Sequence, residues 1–313
     1  MKDANNLTIN QPTVVTIGTF DGVHVGHQKI LKRLIESAKK EELASAVLTF
    51  FPHPRMVLQK EMDIKLIQTI NERREVIQSK GIDYFIVHPF TKDFSRLTAQ
   101  EYVEQILVKK MKAQKVIIGY DHHFGRNRAA DIHDLRKLGK EYGFEVEEIS
   151  KKDIDDVAVS STKIRKALEI GQIEKANTYL GRPFSVQGLV VRGNGKGKGF
   201  GFPTANLAVE ETYKLIPKIG VYIVRSKIKE DYVYGMMNIG FKPTVGSDQK
   251  TIETYFINWS ELLYGKKLKI EFLSRIRGEK QFESIVKLKE AMQADLHFTQ
   301  AYLKEHHYED APF

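Results

Sequence analysis

The period of the hydrophobic pattern changes once along the chain, and that change limits the fold more than any other feature. Up to about residue 180, short apolar runs alternate with stretches of helical period. "TVVTIG" (13–18) reads as a buried strand, and residues 26–40 then place Ile30, Leu31, Leu34, Ile35 and Ala38 on one helical face. "SAVLTF" (45–50), "DYFIVH" (83–88), "KVIIG" (115–119) and "FEVEEIS" (144–150) read as further strands, with helices at 98–110 and 131–142. Thr98 followed by Glu101 supplies a capping box for the first of those helices. Strand and helix in turn predict an α/β unit, a parallel sheet with helices on both faces. Ligands of such sheets lie beyond the carboxyl ends of the strands, so the turn at 19–26 is where chemistry is expected.

Beyond residue 180 the helical period disappears. Two short helical stretches (162–168 and 173–180) lead to "GRPF", and then strands follow at 185–192, 221–228, 232–239, 251–257 and 267–274. Turns containing Gly, Pro or Asn separate them, and the next helix is at 281–304. Short strands with frequent turns predict an antiparallel β-barrel or sandwich. The chain of 313 residues is therefore read as two domains, 1–180 and 181–313.

Composition narrows the chemistry. Without any cysteine, a disulfide framework, cysteine-ligated zinc and thiol catalysis are excluded. No run approaches ~18 apolar residues and the first residues carry no export-like segment, so a cytoplasmic protein is expected. The net charge of +9 suits anionic partners. Its basic residues are spread along the chain and not gathered into one block, which argues against nucleic acid and for small anions. Oligomeric state is left open.

The segment "TIGTFDGVHVGHQKIL" is the most informative of the chain. A strand ends at Gly18, a turn with Gly22 follows, and His24 and His27 flank Gly26 where a helix starts. Free N–H groups and the positive dipole end of a helix suit phosphate. Two imidazoles there can donate hydrogen bonds to charge that builds on phosphorus. A metal pair or two surface histidines are the alternatives for an isolated pair. Strand, glycine turn, His pair and helix in this order favour phosphate. Further on, "SSTKIR" (160–165) offers hydroxyls and cations at a helix start, a second anion cradle or a plain N-cap.

"GTFDGVHVGHQ" resembles the bacterial family of bifunctional riboflavin kinase and FMN adenylyltransferase, the FAD synthetases. The resemblance continues through "FFPHP" (50–54), "PFTKDFSRLTAQEYV" (89–103), "GYDHHFGRNRAAD" (119–131) and "VSSTKIR" (159–165), across the whole first half. It implies a Rossmann-like nucleotidylyltransferase domain in which His24, His27 and Arg165 act on the reacting phosphates. It further implies that Gly18, Phe20, Asp21, Gly26, Ser160, Ser161 and Thr162 bind ATP, and that Pro52, His53, Asp121, Phe124, Arg126 and Arg128 bind FMN. His122 and His123 stand where the family more often has Phe-Arg. The implied reaction is attack of an FMN phosphate oxygen on the α-phosphorus of ATP, with pyrophosphate leaving.

In the second half, "VVRGNGKGKGFGFPTANL" (190–207) holds five glycines and two lysines that can wrap a polyphosphate or form a surface linker. "GFPTANL" resembles the signature of the riboflavin kinases. The likeness carries on through "MNIGFKPTV" (237–245), "TIETYF" (251–256) and the final helix. It implies that Gly193, Lys198, Gly201, Pro203 and Thr204 bind ATP, that Thr204 and Asn206 hold Mg²⁺, and that Glu253 is the general base for the riboflavin 5′-hydroxyl. An exposed strand carboxylate is the plain alternative for Glu253. Riboflavin to FMN to FAD, with ATP at both steps, is thus the expected function. Competing expectations are an enzyme that retains one activity, and a flavin- or RNA-binding regulator derived from the family.

Overall fold

The computed structural model describes residues 9–58, 64–119, 122–150, 159–193, 201–244 and 247–308. The chain divides into two compact units, Met1–Ser161 and Thr162–Phe313.

The first unit contains β1 (Thr13–Ile17), α1 (Val25–Lys40), β2 (Ala44–Phe51), α2 (Pro54–Leu58), α3 (Ile70–Gln78) and β3 (Tyr84–Pro89). It continues with α4 (Ala99–Tyr102), which widens to π spacing over Val103–Lys110, then β4 (Ala113–Gly119), α5 (Ile132–Tyr142) and β5 (Glu145–Ile149). The strands form one parallel sheet in the order β3-β2-β1-β4-β5. Strand order reverses between β1 and β4, so the switch point, where ligands of such sheets bind, lies at the carboxyl ends of those two strands.

β1 is apolar on both faces because both are covered. Val14 packs with Leu31, Leu34 and Ala38 of α1. Val15 and Ile17 pack with Val103 and Leu107 on the other side. Leu34 is fully buried, so Leu34→Ala would cost about 2–5 kcal/mol, transfer and cavity together. Thr98 and Glu101 form the expected capping box. Asp131 caps α5, which ends on Gly143 at φ 80°.

The second unit contains α6 (Ser161–Ile170, entering from the last residue of the first unit), α7 (Ile173–Leu180), β6 (Phe184–Val191) and β7 (Thr204–Ala208). Then come β8 (Gly220–Ile228), β9 (Asp231–Thr244), β10 (Ser247–Phe256), β11 (Lys267–Arg277) and α8 (Ile285–Glu305). The six strands close into an antiparallel barrel in the order β10-β7-β6-β11-β8-β9, with β9 pairing back to β10. Closure removes the exposed edges that a sandwich would keep.

The hydrophobic pattern changes near residue 180, whereas the compact units meet at Ser161 and Thr162. The physical reason is α7. Its Asn177 donates to the carbonyl of Phe272 at 2.8 Å and accepts from the N–H of Phe184 at 2.7 Å, tying the helix to β11 and β6. Leu168 of α6 accepts from the N–H of Lys218. Both helices therefore pack with the barrel. Among the described residues no helix is long and apolar enough to cross a membrane.

Candidate functional site

The turn after β1 is built against the backbone's ordinary preferences. Phe20 and Val23 have φ of 48° and 40°, and Gly22 has 87°. A β-branched residue in this region is a genuine outlier, and each such residue costs about 1–3 kcal/mol. Burial holds the shape: Phe20 and Val23 are both buried, and the N–H of Val23 donates back to the carbonyl of Phe20 at 3.0 Å. At Gly18 an added Cβ would lie 3.1 Å from the Phe20 ring, so a side chain there would crowd that ring.

The turn delivers both histidines to the start of α1. His24 is the N-cap, and its Nδ1 accepts from the N–H of His27 at 3.3 Å. A ring nitrogen that accepts carries no proton, so the neutral His24 ring offers its N–H at Nε2. The His24 and His27 rings stack with centroids 3.6 Å apart, and Phe20 leans on His27 at 5.0 Å. Gly26 is buried in the first turn of the helix. Two imidazoles and a helix N-terminus thus meet at the switch point of the sheet, an arrangement that can receive an anion.

Asp21 faces the other way. Its carboxylate is fully buried and accepts from the N–H groups of Ile67 and Gln68, both at 3.2 Å, with the Arg73 guanidinium at 3.4 Å. Ser161 donates to the Asp21 carbonyl at 2.9 Å, which joins the hydroxyl block to the histidine turn. Ser160 and Thr162 are exposed on either side of Ser161, and Arg165 is half-buried on α6.

The described residues expected around FMN follow the carboxyl ends of β2 and β4. Pro52 follows a cis bond from Phe51. His53 is buried and accepts from the N–H of Arg55 at 3.2 Å. Phe124 is buried and pairs with Ala130 across a short loop, which leaves Arg126 and Arg128 exposed at its tip. Asp121 lies outside the described residues. Sequence reasoning missed a wall of rings beside this loop. Phe94 is 5.4 Å from Phe50, 4.5 Å from His88 and 6.0 Å from Tyr102, and Tyr102 is 5.6 Å from Phe124. His122 stacks on Phe124 at 6.1 Å. Burial lowers the pKa of His88 below the ordinary imidazole value, Lys110 adds to this, and a bond to the Pro89 carbonyl opposes it. Burial alone pushes the Tyr102 phenol well up.

The second unit assembles its residues by strand register. "TANLA" is β7, a strand that sequence reasoning took as loop. On β10, Ile252, Thr254 and Phe256 are buried, so Glu253 and Tyr255 take the opposite face. Glu253 pairs with Asn206 of β7 on one side and with Asn238 of β9 on the other, and Tyr255 pairs with Thr204. Paired residues on neighbouring strands share a face. The Thr204 hydroxyl lies 3.3 Å from a Glu253 carboxylate oxygen. At Gly193 an added Cβ would sit 2.1 Å from Nδ2 of Asn206, so the glycine leaves that amide its place. Gly201 turns at φ 85°, Phe202 packs edge-on to Tyr255 at 5.0 Å, and Pro203 is exposed. Asn238 was not singled out from the sequence, and Lys198 lies outside the described residues.

Hydroxyl, amide and carboxylate oxygens of this kind suit Mg²⁺ that keeps waters and shares phosphate oxygens. No group of three or more His, Cys, Asp or Glu able to hold a metal exists among the described residues. A magnesium bound through substrate phosphates fits this donor set, and an all-protein metal cage does not.

Comparison with known proteins agrees with both halves. Residues 6–163 match the FAD synthetase family and residues 180–303 match the riboflavin kinase family. The bifunctional riboflavin kinase/FMN adenylyltransferase of Buchnera aphidicola (subspecies Schizaphis graminum) is 37% identical over 298 residues, 94% of this chain and 95% of the relative. The Listeria monocytogenes protein of the same name is 35% identical over 92% of each chain, and the Escherichia coli K12 protein 33% identical over 90% of each. A crystal structure from Streptococcus pneumoniae, described as a macrolide-efflux protein, superposes with a TM-score of 0.85 at 28% identity, covering 96% of this chain and 97% of that one. A histidine pair at the switch point of a parallel sheet, a Thr-Asn-Glu group on a closed barrel and relatives alike over both place the chain in the bifunctional riboflavin kinase/FMN adenylyltransferase family.

Proposed function

We propose that this protein makes FAD from riboflavin in two ATP-dependent steps: the barrel phosphorylates riboflavin to FMN, and the parallel-sheet unit adenylylates FMN. The observation that carries the reading is the register of β7, β10 and β9. It sets Thr204, Asn206 and Glu253 on one face, within hydrogen-bond distance where Thr204 meets Glu253.

In the kinase step, Glu253 takes the proton of the riboflavin 5′-hydroxyl as that oxygen attacks the γ-phosphorus and ADP leaves. Gly193, Gly201 and Pro203 shape the loop around the nucleotide, with Lys198 as a point charge on phosphate. Thr204 and Asn206 hold Mg²⁺, which when bound neutralises charge on the phosphate oxygens.

In the second step, an FMN phosphate oxygen attacks the α-phosphorus of a second ATP and pyrophosphate leaves. The α1 N-terminus with Gly26, together with His24 and His27, stabilises charge on the reacting phosphate. Ser160, Ser161, Thr162 and Arg165 bind the leaving phosphates. Gly18 and Phe20 form the floor of the nucleotide site, and Asp21 fixes the turn. The ring wall from Phe50 to Phe124, with Pro52 and His53, takes the isoalloxazine. Arg126, Arg128 and Asp121 serve the polar end of FMN. Substrates of this kind fit a cytoplasmic setting.

Incubation with riboflavin and Mg-ATP, followed by chromatography of the flavins, tests the proposal. FMN should appear first and FAD second, with one pyrophosphate per FAD. A chelator should stop both steps and added Mg²⁺ should restore them. No change in riboflavin would refute the reading.

A further inference from the structure

We propose that Arg73 is the positioning residue of the adenylyl-transfer site, acting through the turn that carries His24 and His27. The inference rests on the adenylyltransferase reading of the first unit.

Arg73 is 1% exposed and heads the large side chains that are fully buried in the described protein. A guanidinium is brought out of water here, which is costly unless its donors are well used. Its Nη1 donates to the carbonyl of Thr19 at 2.6 Å. Its Nη2 reaches Asp21 Oδ1 and the carbonyl of Gln68, both at 3.4 Å. The two arms therefore grip Thr19 and Asp21, which flank Phe20 in its left-handed conformation. The grip is supported from behind and in front. Thr49 donates to the same Thr19 carbonyl at 3.2 Å. Asp21 also receives the N–H groups of Ile67 and Gln68, just before α3. That helix is fixed by its own capping box, in which Thr69 and Glu72 bond each other's backbone N–H groups. Ser161 then bonds the Asp21 carbonyl.

A strained turn keeps its shape only where its surroundings over-determine it. Arg73 links the turn to α3 through its side chain, and His24 follows Asp21 by three residues. A lysine could keep the charge opposite Asp21 but lacks the planar fork that reaches Thr19 at the same time. Its loss would let the histidines drift while the helices and sheet remain. A displacement of about 1 Å at reacting groups is enough for roughly a hundredfold loss of rate.

Arg73→Lys and Arg73→Gln test this, each assayed for FAD formation from FMN and for FMN formation from riboflavin. The expected result is a fall in kcat for FAD formation of at least tenfold with Lys and more with Gln. KM for ATP and FMN should stay within about threefold, near-ultraviolet circular dichroism should be unchanged, and riboflavin phosphorylation should remain within twofold. An unchanged kcat in both variants would overturn the proposal. So would KM values that rise as steeply as kcat falls, or two variants that do not fold, since Arg73 would then serve general stability. Wild-type protein that forms no FAD would refute the adenylyltransferase reading itself, whatever the variants do.

Discussion

The two candidate sites are built in opposite ways. The barrel places Thr204, Asn206 and Glu253 by strand register alone: once β7 and β10 pair, the three residues share a face. The parallel-sheet unit places His24 and His27 on a loop, so their position depends on left-handed residues, a buried Asp21 and a buried arginine. A site set by a hydrogen-bond ladder should be sensitive to its own side chains and tolerant of distant changes. A site set by a strained loop should be sensitive at a distance, as at Arg73.

The largest expected effect is that of Glu253→Gln, which keeps the shape and removes the base. Riboflavin phosphorylation should fall by about 10²–10⁴-fold, while FAD formation from supplied FMN stays within twofold. Equal loss of both rates would erase the contrast between the sites. His27→Ala is the mirror experiment. Adenylylation should fall by about 10²–10³-fold, the scale of a lost donor to developing charge, with phosphorylation unchanged. Gly193→Ala sharpens the comparison without touching a reacting group. Its Cβ would overlap the Asn206 amide, so steady-state kinetics should show phosphorylation reduced about tenfold, about 1.4 kcal/mol in barrier height.

The smallest effect concerns stability at the outer strand of the parallel sheet, where Glu147 lies on β5. Burial alone would raise the Glu147 carboxyl, but hydrogen bonds and charge from Arg33 and Lys115 hold it below the ordinary glutamate value. A lowered carboxyl adds stability in full above its unfolded pKa and loses it as pH falls through the folded value. Thermal melts should therefore show Glu147→Gln less stable by about 1 kcal/mol at pH 7. The difference should vanish in acid below the ordinary carboxylate range.

Legibility followed the same divide. The parallel strands, α1 and the capped helices could be read because apolar residues recur at the right periods. α3 was missed because the side chains it buries include Glu72 and Arg73, which leave no apolar stripe, although Thr69 and Glu72 had the spacing of a capping box. β7 was missed because only Leu207 of its five residues is buried, so no alternation marks it. The residues of both sites were named from motifs, but the sequence could not show that Asp21 turns into the protein toward Arg73. That contact joins segments far apart in the chain. Nor could it show that Asn238 lies beside Glu253, because the residue pattern of two consecutive strands does not by itself fix the register in which they pair.

One experiment sets the two construction principles against each other: mixing the Glu253→Gln and His27→Ala proteins with riboflavin and Mg-ATP. Either protein alone should yield FAD only at its residual rate. Together they should yield it faster, as FMN released by the histidine variant is used by the glutamate variant. A mixture that accumulates FAD no faster than either protein alone, although each variant keeps its remaining step, would contradict two separable sites.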